Sequence, residues 1–116
     1  MRYILFILLP FLMSAKTNFI TPMEYASSLY KNPRGIGCNN CHGKSGEGRL
    51  IAKYIDKNEE KSFRGPMINS MNFNDFYGAL NIRKNGMPRY FLTKKEIKAL
   101  YFYLQEKKKE SLSNDK

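Results

Sequence analysis

Apolar residues recur at helical spacing in three stretches of the chain, each near a residue suited to cap a helix. In the first, Thr21-Pro22-Met23-Glu24 offers a cap, a proline at the first helical position and the glutamate of a capping box. Tyr25, Ala26, Leu29 and Tyr30 then line one face, and Asn32-Pro33 closes the helix. In the second, Asn74 is the expected cap, with Phe76, Tyr77, Leu80 and Arg83 as the face. Asn85-Gly86 supplies its stop, which predicts a helix of about 10–11 residues. The third opens on the capping box Thr93-Lys94-Lys95-Glu96, and Ile97, Leu100, Tyr101 and Leu104 form an amphipathic stripe. Lys107, Lys108 and Lys109 follow at its end, where positive charge suits the helix dipole.

The remaining stretches lack that period. Residues 50–64 alternate poorly around the polar turn Asp56–Lys61; they fit a small β-hairpin or a charged loop, and a loop with some extended character is expected. Residues 111–116 are expected to be a disordered tail. At the other end, Arg2 precedes a short apolar run from Ile4 to Met13 and the small pair Ser14-Ala15, the pattern of a secretory leader over 1–15. That run is about ten residues, half of what a membrane span needs. One small domain over 16–110 is left.

The chemistry is concentrated in Cys38-Asn39-Asn40-Cys41-His42, which holds both cysteines and the single histidine of the 116 residues. The spacing C-x-x-C-H is that of covalent haem attachment. Two intervening residues let the two sulfurs reach both vinyl groups on one side of the macrocycle, and the adjacent imidazole lies beneath the iron. Structural zinc needs four ligands, and no further Cys or His exists. A redox C-x-x-C belongs beside a βαβ pattern, which is absent, and a plain disulfide leaves His42 unexplained. Export fits this reading, because the thiols must be handled reduced outside the cytoplasm.

With one histidine, the second axial position of the iron falls to a thioether or stays open. Met23 lies in the first turn of a helix, and Met67 and Met71 flank an apolar segment suited to packing. Met87, between Gly86 and Pro88 on a turn 45 residues after His42, is the preferred ligand. Met67, Met71 and an open site remain as alternatives.

From the first helix through the C-x-x-C-H motif, Gly65-Pro66, Asn85-Gly86-Met87-Pro88 and the closing helix from Leu92-Thr93, residues 21–106 resemble a class I c-type cytochrome. The resemblance implies an all-α fold, three or more helices wrapped around one covalent haem c with its iron. It implies His42 and Met87 as axial ligands and the Pro66 carbonyl as acceptor for the His42 ring N–H. It also implies a periplasmic electron carrier rather than an enzyme, with a haem module whose labile sixth site binds small ligands or reduces peroxide as the alternative. The charged insertion at 50–64 departs from the small members of that family.

Eight aromatics, Tyr25, Tyr30, Phe73, Phe76, Tyr90, Phe91, Tyr101 and Phe102, are expected to pack in the pocket and at the helix crossing. Arg49, Arg89 and Tyr54 are candidates for the haem propionates. The net charge of +10 points to acidic redox proteins or membrane-bound respiratory complexes as partners of a monomer, and an exported chain is remote from nucleic acid. Lys44, Lys84 and Arg89 lie where they could steer such a partner.

Overall fold

Thr21 starts the first helix as its sequence requires. In the computed structural model, which describes residues 19–84 and 86–116, its hydroxyl accepts from the Glu24 backbone N–H at 3.1 Å and the Glu24 carboxylate accepts from the Thr21 N–H. The leader expected at 1–15 lies outside the described residues, as does Asn85. Helix α1 spans Pro22–Lys31. A five-residue helix, α2, Cys38–His42, carries the cysteine motif, and a two-stranded antiparallel hairpin follows, β1 Arg49–Asp56 and β2 Glu59–Gly65. Helices α3, Phe73–Asn81, and α4, Lys94–Asn114, complete the order. Among the described residues the expected all-α architecture is thus four helices, with the hairpin as the departure.

Between 50 and 64 the loop expectation is corrected to a hairpin. Its two-residue turn, Lys57-Asn58, has both residues left-handed (φ 52° and 64°), the conformation whose twist matches paired strands. Every side chain from Arg49 to Arg64 is exposed except half-buried Asp56. With neither face on a core, nothing requires apolar and polar residues to alternate, so the sequence carries a weak strand signal.

Two helix ends also differ from expectation. The cap of α3 is Asn72, not Asn74: its side-chain oxygen accepts from the Asp75 N–H at 2.9 Å while its amide donates to the Asp75 carboxylate at 2.7 Å. The helix has nine residues, because Ile82 is extended (φ −126°, ψ 130°). At the C-terminus, the tail expected to be disordered continues as helix through Asn114. Lys107–Glu110 and Glu106–Lys109 pair along it, and Ser111 and Ser113 hydroxyls donate to the carbonyls three residues before. Though 21 residues long, α4 is too polar to cross a membrane, and no helix of the described residues is long and apolar enough to do so.

The core forms where α1 packs on α4. Ala26, Leu29 and Tyr30 meet Ile97, Leu100, Tyr103 and Leu104, and Phe76 and Leu80 of α3 close the cluster with Cys38 and Tyr90. Tyr30 and Tyr103 rings lie 5.1 Å apart, and Tyr101 packs edge-on against Phe73 and tilted against Phe76. Of the eight aromatics expected to pack, Tyr25, Phe91 and Phe102 are instead exposed, on the outer faces of their segments.

Candidate functional site

The motif helix α2 is too short to be stable alone, so its position depends on what grips its ends. Ahead of it, the Tyr90 hydroxyl donates to the Ile36 carbonyl at 2.6 Å. Behind it, Tyr30 donates to the Gly43 carbonyl at 2.6 Å and Tyr103 to the Lys44 carbonyl at 3.4 Å. The Gly48 N–H donates to the His42 carbonyl and the Ile68 N–H to the Gly46 carbonyl, both at 2.8 Å. Gly65 lies so close to the Cys41 carbonyl that any Cβ there would overlap the backbone, so only glycine lets the hairpin seat on the motif.

Both cysteines are free thiols; Cys38 is buried and Cys41 half-buried. Burial pushes the Cys38 thiol up to about 11, so it stays protonated at neutral pH. His42 is 7% exposed, and its Nδ1 lies 2.8 Å from the Pro66 carbonyl oxygen. A carbonyl can only accept, so Nδ1 carries a proton, and Nε2 is the ring nitrogen left for another partner.

Three adjoining cavities open beside α2, and His42, Pro66 and Met87 stand in the wall of each. The first adds Cys38, Cys41, Ile51, Phe63 and Tyr90; the second, Tyr30, Ile68, Met71, Phe76 and Leu100. The third, about 640 Å³, runs along the outer face of α3 past Arg64 and Lys84. The four residues of the sequence argument, Cys38, Cys41, His42 and Met87, therefore meet at one cleft, with the Pro66 carbonyl behind the imidazole. Met71 reaches one of the three cavities; Met67 is 57% exposed and Met23 packs against the core in a groove with Tyr103 and Lys107, and neither reaches any of them.

A flat, largely apolar macrocycle with two thiol-reactive arms fits these residues. The cleft is walled by aliphatic and aromatic side chains, both thiols open on it, and an imidazole is oriented with one nitrogen held by Pro66 and the other free of it. A zinc centre does not fit, since no three His, Cys, Asp or Glu side chains gather among the described residues. Arg49, Arg89 and Tyr54 line none of the three cavities; Arg64 and Lys84 do. Arg89 instead lies over the Phe91 ring, 5.2 Å from its centre. Sequence reasoning missed Arg64, Ile51 and Phe63 because their place depends on the hairpin.

No curated protein and no solved structure matches the chain. A family model described as Cytochrome c matches residues 23–108, most of the sequence. The chain belongs to the cytochrome c family, which binds covalently attached haem c with its iron, and Cys38, Cys41 and His42 fit its C-x-x-C-H motif.

Proposed function

We propose that the protein is an exported, periplasmic electron carrier in which His42 and Met87 are the two axial ligands of the haem iron. The observation that carries this reading is the meeting of His42, Met87 and both thiols at one cleft, with His42 Nδ1 engaged by Pro66 so that Nε2 is the nitrogen left to bind. When bound, the haem supplies a one-electron Fe(III)/Fe(II) couple. The chain's part is to keep both axial positions filled, so that little rearranges on transfer and no substrate reaches the metal. The Pro66 carbonyl fixes the imidazole tautomer and adds electron density to the ring. The apolar walls exclude water, which favours the less charged oxidation state and raises the potential. Its partners are redox proteins with acidic faces, including membrane-bound complexes.

The test is an optical spectrum of the periplasmically matured protein and of Met87→Ala, with a haem-stained denaturing gel. Wild type is expected to be haem-positive and low-spin, with a weak far-red sulfur-to-iron band when oxidised. Met87→Ala is expected to keep the haem and lose that band. A high-spin wild type that responds to CO or peroxide would instead indicate ligand binding or catalysis, and a colourless protein would end the haem reading.

A further inference from the structure

The hairpin has no core of its own, yet it touches both sides of the cleft. Its base is seated on the motif helix, where Gly65 abuts the Cys41 backbone. Two residues earlier, Phe63 points the tip of its ring at Gly86: a Cβ on Gly86 would stand 3.0 Å from Phe63 Cζ and 3.8 Å from Cε1 and Cε2. Gly86 is left-handed (φ 83°) and directly precedes Met87. The cross-strand neighbour of Phe63 is Ala52, too small to hold the ring on the hairpin, and a register irregularity between Leu50 and Ala52 takes Ile51 out of the ladder. Ile51 and Phe63 then face Gly86, Met87 and Pro88 across the same cavity.

In the Met87 turn, Met87 pairs with Lys84 as an isolated antiparallel bridge, its N–H donating to the Lys84 carbonyl at 3.0 Å, and just beyond it the Tyr90 N–H donates to the Leu80 carbonyl at 3.3 Å. Bonds this local fix the shape of the turn but not its place over the cleft, which packing must hold. We propose that Phe63 is a positioning residue for Met87, and that the hairpin is a strut from the thioether side of the cleft to the methionine side that keeps the Met87 sulfur at the iron. This rests on Met87 being the axial ligand. Chemically, the strut would decide whether the chain is a closed carrier or one whose sixth site admits an outside ligand.

The test uses matured holoprotein and imidazole, which competes with methionine for ferric iron. Imidazole affinity and far-red band intensity are measured in wild type, Phe63→Ala, Phe63→Leu and, as a control at the exposed hairpin tip, Ile55→Ala. Phe63→Ala is expected to bind imidazole on the order of tenfold more tightly and to weaken the band. Phe63→Leu should fall between it and wild type, and Ile55→Ala should match wild type, with haem content and helical circular dichroism equal throughout. Wild-type affinity in both Phe63 variants would overturn the proposal, and so would an equal gain in Ile55→Ala, which would mean general loosening of the hairpin. Should Phe63→Ala not fold, the Phe63→Leu and Ile55→Ala pair decides alone. A far-red band absent from wild type, or unaltered by Met87→Ala, would overturn the ligation reading itself, and the strut with it.

Discussion

Glu96 does two tasks with one carboxylate. One oxygen accepts the Thr93 N–H and an Arg34 N–H, both at 2.9 Å, and the other accepts a second Arg34 N–H at 2.8 Å. Arg34 itself stands in a left-handed backbone (φ 61°) and also donates to the Phe91 carbonyl, so this fork ties the end of α1 to the start of α4. The Arg34 hydrogen bonds, then those from Thr93, hold the Glu96 carboxyl at about 2, below its usual 4.5. Because the folded value lies below the unfolded one, this contribution is complete above pH 4.5 and is lost as the pH falls towards 2. Urea unfolding measured from pH 7 to pH 2.5 should show stability falling through that window, and Glu96→Gln should flatten the part of the slope due to this group. The Arg34 side chain is well exposed, so the effect is screened and modest.

At the scale of elements, a helix is only as secure as its first turn. Thr93 Oγ accepts from the Glu96 N–H at 3.1 Å, so Thr93→Ala should cost α4 about 1 kcal/mol, read from urea midpoints at unchanged slope. Both capping boxes and the stripes of α1 and α4, exposed Tyr25 apart, were legible in the sequence, because local chemistry and burial agree there. Where they disagree, the sequence was misleading. Asn72 and Asn74 are equally good caps by type, and only the reciprocal bond with Asp75 selects Asn72. The hairpin was obscure because no face of it is buried, and the residues it brings to the cleft were obscure with it. Met87 was accessible to reasoning because, with a single histidine, the only further axial ligand expected was a thioether, a matter of chemistry and not of pattern.

The molecule as a whole is a small cation, with a formal charge of +10. Lys84 and Arg64 stand in the wall of the third cavity, and Lys44 is exposed just past the motif. Such a surface draws anions to the cleft and is screened over about 8–10 Å at physiological salt. Oxidation of the reduced protein by ferricyanide should therefore slow severalfold as salt rises, while oxidation by a cationic cobalt complex should quicken. Stopped-flow traces at two ionic strengths are sufficient to check both. The tyrosine bonds behind the motif have a further consequence, one of timing. Tyr30 can reach the Gly43 carbonyl once the first helix and the motif exist, but the bond from Tyr103 to Lys44 spans 59 residues. On a chain emerging from its N-terminus, the loop behind His42 is fastened on one side early and on the other only when the last helix arrives. The seat behind His42 is therefore complete only once the last helix has docked.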